Sequence, residues 1–384
     1  MQTTQTPQAT STPAPAPAPA PARYVVEHET RYAFAAPVSQ SWQLARLTPR
    51  MLPWQRLVSH SLRIEPPPDE RRDELDSFGN MVTHFGLHGA HRMLRVRMEC
   101  LVEVTARPSV GVIEPTPPAV AEAPQGRVQT QGAGPVQGQT QTQTQTQTKT
   151  QTQSLDGGSS QFQSLDSVDP LDPLPGAPAL APPAAVVSLD WEGVRDAIRR
   201  DPQQDNLVPA SMSEPTPLVP LSEGARQYAV ESFPPARGWL DAVADLMRRI
   251  HDDFEFEPGA TTVSTSVDEV LYQKRGVCQD FAHLMLACLR GLGLPARYVS
   301  GYLLTDPPPG MARLTGVDAS HAWVAAYSPE LGWVEFDPTN NQLADQRYIT
   351  LTWGADFADV VPLRGVIFGG GDQRMDVEVS VIPA

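Results

Sequence analysis

The stretch "RGVCQDFAHLMLACLRGLGLPARYVSGYL", Arg275 to Leu303, decides the fold reading. It sets Cys278 directly after a glycine and a valine, and directly before Phe281, Leu284, Met285, Cys288 and Leu289. Their spacings of three and four mark one face of a helix. Gly291 and Gly293 close that helix, and "ARYVSGYLL" reads as a strand. A helix N-terminus offers unpaired backbone N–H groups and roughly half a positive charge, and both favour a thiolate over a thiol. Cys278 is therefore a candidate nucleophile, and acyl transfer needs a base or acid beside it.

The chain supplies one downstream. "HAWVAAY" and "GWVEFDP" read as strands joined across "SPEL", whose Ser and Pro suit a tight antiparallel connection. A hairpin centred on residues 329 to 330 sets His321 opposite residue 337, 338 or 339, and Asp337 is among them. Opposed residues on one face lie about 5 Å apart at Cβ, so a carboxylate there can hold the imidazole by its far nitrogen. By alternation Trp323 shares the face of His321 and Trp333 that of Asp337, which makes both candidate walls of an acyl-binding cleft. The contact between Cys278 and His321 is tertiary, and spacing does not reach it.

Upstream, "GWLDAVADLMRRIHDDF" carries Leu240, Val243, Leu246, Met247, Ile250 and Phe254 on one helical face. "STSVDEVLYQK" has Ser266 and Glu269 in a capping-box arrangement and predicts a short helix running into Gly276. "SLDWEGVRDAIRR", Ser188 to Arg200, adds a further helix, and "SEPTPLVPL" reads as coil. Near the N-terminus, "RYVVEHETRYAF", "LVSHSLRIEP" and "HRMLRVRMECLVEVT" alternate as half-buried strands, with "DSFGNMVTHF" as a turn between two others. Two stretches cannot build a core: the Pro/Ala tract at 1–22 and the Pro-, Gln- and Thr-rich 108–185, both expected to be disordered. The expected organisation is a tail (1–22), an antiparallel β-domain (23–107), a linker (108–185), and a catalytic region (186–384) with its core at about 221–345. The fold class is α+β, with helices packed on an antiparallel sheet.

Composition narrows the function. The 384 residues carry 29 Lys and Arg against 44 Asp and Glu, a net charge of −15, which argues against nucleic acid or an anionic membrane as the main partner. Proline, at 40 residues, is about twice its usual share and accords with the two unstructured stretches. Three cysteines with no CxxC pair do not make a disulfide scaffold and suit a reducing compartment. No secretory leader and no membrane-spanning run is visible, so a cytoplasmic protein is expected.

With "GVCQDFAH", "DASHAWV" and "GWVEFDPTN" in that chain order, the sequence resembles the bacterial transglutaminase-like superfamily. Residues 23–107 are similar to the N-terminal β-domain that precedes this core in many bacterial members. The resemblance implies a papain-like core with Cys278 as nucleophile, His321 as general base and acid, and Asp337 orienting His321. It implies cleavage or exchange of peptide or protein amide bonds through a thioester, with no cofactor. The family pattern has His where this chain has Tyr348, and an Arg-Asp-Tyr run where it has Ala355, Asp356 and Phe357. These departures are outside the triad and are expected to touch substrate contacts only.

The remaining residues have plainer readings. Gln279 is a candidate oxyanion contact, behind the backbone N–H of Cys278. Asp280 favours the helix dipole, His283 is core or supports the site, and Cys100 and Cys288 are core. His84, His88 and His91 lie on a surface hairpin without acidic or cysteine partners at ligand spacing, and "HDDFEFEP" is a solvated helix end, so no metal is expected. Hydrolysis, as in a protease or amidase, is the favoured outcome. The alternatives are a crosslinking transglutaminase, a peptide-binding module with a vestigial triad, and an assembly scaffold.

Overall fold

The computed structural model describes residues 20–108, 189–200, 207–305 and 320–384. The expected tail up to residue 19 and the linker from 109 lie outside them. The β-domain begins with β1 (Ala22–Ala45), followed by β2 (Gln55–Glu65), β3 (Glu70–Leu75), β4 (Met81–Leu87) and β5 (His91–Val104). On β5 the buried positions Leu94, Val96, Met98, Cys100, Val102 and Val104 recur every second residue, the period of a strand with one face on the core. Between β3 and β4, Asp76 Oδ1 accepts the N–H groups of Phe78 and Asn80 at 2.9 Å and fixes the expected turn.

The second part opens with α1 (Trp191–Arg200), α2 (Leu207–Ser211), α3 (Glu223–Val230) and α4 (Trp239–Asp253). Next come β6 (Glu255–Phe256), α5 (Val267–Gln273), β7 (Arg275–Gly276) and α6 (Cys278–Gly291). The apolar stripe expected on α4 is buried throughout. The capping box of α5 is half formed: Ser266 Oγ accepts the Glu269 N–H at 3.2 Å, while Glu269 Oε1 turns to Gln273. Lys274, in the left-handed region at φ 56°, ends that helix before Gly276.

All positions of α6 from Asp280 to Arg290 are buried, so it is a central helix and not the one-faced helix its stripe suggests. Each of its large apolar side chains contributes about 1.5–3 kcal/mol by leaving water. One side of α6 meets the sheet formed by β8 (Ala296–Leu303), β9 (Ser320–Ser328), β10 (Gly332–Asp337), β11 (Gln342–Leu343) and β12 (Tyr348–Gly354), in the antiparallel order β11-β10-β9-β8-β12. This is the expected α+β core of helices on an antiparallel sheet.

After the short α7 (Phe357–Val360), β13 (Leu363–Gly369) and β14 (Gln373–Pro383) return to β1 and complete a seven-stranded sheet. The expectation that everything after residue 186 serves the catalytic region therefore fails for these two strands. Their partners are more than 300 residues away in sequence, and no local pattern reports such pairing. The two layers also share a core, because Tyr302, Ile349 and Leu351 pack among the β-domain residues. Gln55 secures the junction by giving its amide N–H to Thr350 O and taking the Thr350 N–H, both at 2.7 Å.

Candidate active site

Cys278 is the first residue of α6, and its cap, Val277, is extended. An aliphatic side chain cannot accept a hydrogen bond, so the chain end is fixed from the opposite direction: Asp280 accepts the Val277 N–H at 2.8 Å. Thr261 donates its hydroxyl to the same oxygen at 2.5 Å. Burial raises the Asp280 carboxyl above its ordinary range, with these two donors pulling against it. Gly276 lets the carboxylate fold back so closely, since a Cβ there would lie 2.8 Å from Asp280 Oδ2.

On the hairpin, Val324 faces Phe336 and Ala325 faces Glu335. That register, extended, sets Asp337 opposite Trp323 and diagonal to His321, all on one face. His321 Nε2 lies 2.7 Å from Asp337 Oδ2. With Nε2 engaged, Nδ1 is the ring nitrogen left for the Cys278 thiol, which acts on the proton affinity of the ring. Burial alone would lower the affinity of His321 for its proton, but the bonds to Asp337 and Cys278 outweigh it and raise the pKa to about 10. The structure thus brings the three expected residues together.

Asp337 is fully buried and fully answered. Its Oδ2 also accepts Tyr348 Oη at 2.6 Å and Asn340 Nδ2 at 2.7 Å, while Oδ1 takes the N–H groups of Thr339 and Asn340 at 2.8 and 3.2 Å. Burial would raise this carboxyl, yet the His321 bond and charge, with Asn340 and Tyr348, hold it below its ordinary range. Tyr348 was expected to matter for substrate contact only. It belongs instead to the hydrogen-bond shell of Asp337.

Of the other candidates, Gln279 is partly exposed beside Cys278 and its side chain makes no hydrogen bond among the described residues. Trp323 is entirely buried, lies nearly parallel to His321 at 6.0 Å and 27°, and gives its Nε1–H to Glu335 Oε2 at 2.9 Å. It supports the imidazole from behind and is not a cleft wall. Trp333 shares that face, four residues from Asp337, but packs on Tyr327 at 5.2 Å and lines a different cavity. Alternation gave the face of each tryptophan correctly and could not give its depth.

His283 is buried against Tyr298, and its Nε2 accepts the Phe357 N–H at 3.3 Å. Burial lowers its pKa to about 4, which keeps the ring neutral. The Ala355 carbonyl accepts Arg290 Nη2 at 2.5 Å, so these two departures from the family pattern sit behind α6. Cys100 and Cys288 are buried, and burial pushes the thiol of Cys100 up to about 12 and that of Cys288 higher. His84 and His88 pair with Glu74 and Glu70, and His91 bonds the Gly89 carbonyl. Spacing missed Tyr348 and Asn340. Asn340 had a signal, since the run Asp-Pro-Thr-Asn at 337–340 invites a side-chain-capped turn, whereas nothing local marked Tyr348.

Residues 24–103 match the bacterial transglutaminase-like N-terminal region, and residues 226–338 match the transglutaminase-like superfamily. An uncharacterized protein of Mycobacterium tuberculosis H37Rv is 35% identical over 370 residues, covering 94% of this chain and 93% of that protein. A protein-glutamine gamma-glutamyltransferase of Pseudomonas aeruginosa is 33% identical over 174 residues, 39% of this chain and 25% of its own length. Among solved structures, a candidate cysteine protease from Cytophaga hutchinsonii superposes with a TM-score of 0.60 at 15% identity, over 95% of this chain and 91% of that one. That likeness concerns the fold.

Proposed function

Since this chain belongs to the transglutaminase-like superfamily, we propose that it is a cysteine-dependent enzyme that breaks peptide or protein amide bonds through a thioester on Cys278, with water as the main acceptor. The series Cys278, His321, Asp337, in which Asp337 holds the His321 ring at 2.7 Å and Cys278 acts on its proton affinity, carries this reading. The Cys278 sulfur, as thiolate, adds to the amide carbonyl carbon. The N–H of Cys278, at the first turn of α6 and so without an intrahelical acceptor, is placed to receive the developing oxyanion. The imidazolium of His321 protonates the leaving amine as the C–N bond breaks. Water, deprotonated by His321, then adds to the thioester, and the collapse releases a carboxylic acid and restores the thiolate with its imidazolium. Asp337 remains ionised throughout and holds the ring.

A second reading replaces water by a primary amine, and the partial identity to the glutamyltransferase favours it. One experiment addresses both: a glutamine-containing protein is incubated with the enzyme and a labelled alkylamine, and its intact mass and cleavage are followed. Deamidation or cleavage that Cys278→Ala abolishes supports hydrolysis, and a Cys278-dependent amine adduct supports transfer. Absence of all of these, with no acyl-enzyme trapped on Cys278 across a panel of peptide amides, overturns the catalytic reading in favour of peptide binding.

A further inference from the structure

The cavity lined by Trp333 measures about 840 Å³ and lies between the β-domain and the outer face of the five-stranded sheet. That is the size of a small-molecule site. Much of its wall is apolar, with Leu52, Trp54, Leu331 and Leu343 among the lining residues. Arg297, on β8, is a lining residue of another kind. It is 6% exposed, and its guanidinium carbon lies 4.2 Å from the ring centre of Trp333 and 3.5 Å from that of Trp353. Arg50 is also 3.5 Å from the centre of Trp353, so the two guanidinium groups must occupy opposite faces of that ring.

Among the described residues the Arg297 side chain makes no hydrogen bond and no ion pair, and its Nε is buried without a partner. Its charged neighbours have hydrogen-bond partners of their own, and Glu335 reaches it by charge alone. Arg107 pairs with Glu335 Oε2 at 3.0 Å, and Arg50 bonds Asn80 Oδ1 at 2.6 Å. Glu335, across the small Ala325 from Arg297, accepts Arg107 and Trp323 at Oε2, while among the described residues its Oε1 accepts no hydrogen bond. A cation withdrawn from water is costly unless an anion answers it. Ring contacts answer its charge in part and leave the guanidinium N–H donors unused. A planar fork of donors in an aromatic-walled cavity is the complement of a carboxylate on an apolar body.

We propose that this cavity binds a small organic carboxylate, its carboxylate held by Arg297 and its apolar part against Trp54, Trp333 and Trp353. The site is distinct from the triad, since Trp323 and Glu335 lie between them, and it stands whatever the acyl acceptor proves to be.

The test is titration of the full chain with octanoate and with phenylacetate, each beside its neutral primary amide, followed by tryptophan fluorescence. Saturable binding of the acids, with the amides at least tenfold weaker, is expected. Arg297→Met should remove that preference while the protein keeps a cooperative melting transition, because no ion pair or hydrogen bond of the side chain is lost among the described residues. Leu331→Trp, which fills the cavity and leaves Arg297 in the chain, should block both acids and carries the test alone if the first variant does not fold. Cys278→Ala should bind as the parent does, which separates this site from the catalytic one. Equal binding of acid and amide, acid binding unaffected by Leu331→Trp, or no saturation by about 10 mM overturns the proposal.

Discussion

The hydroxyl of Tyr348 and the ring of His321 meet at one oxygen, Oδ2 of Asp337, at 2.6 and 2.7 Å. Tyr348→Phe deletes one donor to a buried carboxylate and leaves the Gln342 amide without its acceptor. A lost hydrogen bond to a charged group costs about 1.5–3 kcal/mol. The variant should melt at lower temperature and turn over at least tenfold more slowly, with the acid limb of its pH profile moved upward. An unchanged acid limb would mean that Asn340 and the backbone donors suffice.

Cysteine labelling gives a direct reading of the nucleophile. Cys100 and Cys288 are buried with raised pKa values, whereas Cys278 is partly exposed and bonded to an imidazole. Iodoacetamide at pH 6, read by peptide mass spectrometry, should modify Cys278 well ahead of the other two. His321→Ala should erase that lead, and Cys278→Ser should lower turnover by at least about a thousandfold.

Stability should depend on pH through His321. The folded protein raises its pKa from 6.5 to about 10, so the folded state holds a proton that the unfolded chain releases. The stabilisation is whole below about pH 6.5, fades as pH rises, and is gone once pH passes the folded value. Asp337 acts in reverse: its contribution is present above the ordinary carboxylate range and is lost as pH falls through its depressed folded value. Melting temperatures between pH 7 and 10 should therefore decline in the parent, and the decline should flatten in His321→Gln.

Gly301 faces His321 on the neighbouring strand. A Cβ at this position would lie 2.0 Å from the Ile349 carbonyl oxygen and 2.7 Å from the Trp323 ring. Because the first obstacle is backbone, Gly301→Ala must displace β8, β12 or the tryptophan beneath the imidazole. A loss of about 3 kcal/mol or more is expected, visible in urea denaturation, together with loss of activity. Retention of both would show that the sheet yields more readily than its spacing suggests.

Spacing found Cys278 because a helix start needs no partner to be legible, and it brought His321 and Asp337 together because a short hairpin fixes its own register. Trp323 and Trp333 show where that reasoning stops. Both faces were right, but whether a face meets solvent depends on the layer above, here Tyr348 from β12 and the β-domain residues around Trp54. The same holds for α6, whose stripe named one buried side while the helices and sheet around it buried the rest. The final two strands pair across a long sequence separation, and Tyr348 reaches Asp337 from a strand that is not its ladder neighbour, contacts for which residue patterns carry no trace.

The pairing of β13 and β14 with β1 makes this a nested architecture. The helices and the sheet that bears His321 and Asp337 are spliced between the opening strands of a β-scaffold and its closing ones. The protein cannot be divided by a single cut into the β-scaffold and the interior core. Truncation after α7 would strip β1 of two partners along one edge, and a fragment starting at α1 would keep β13 and β14 with nothing to pair against. Natural or laboratory recombination of this core should therefore succeed by exchange of the interior segment between two fixed ends, and fail by fusion at either terminus.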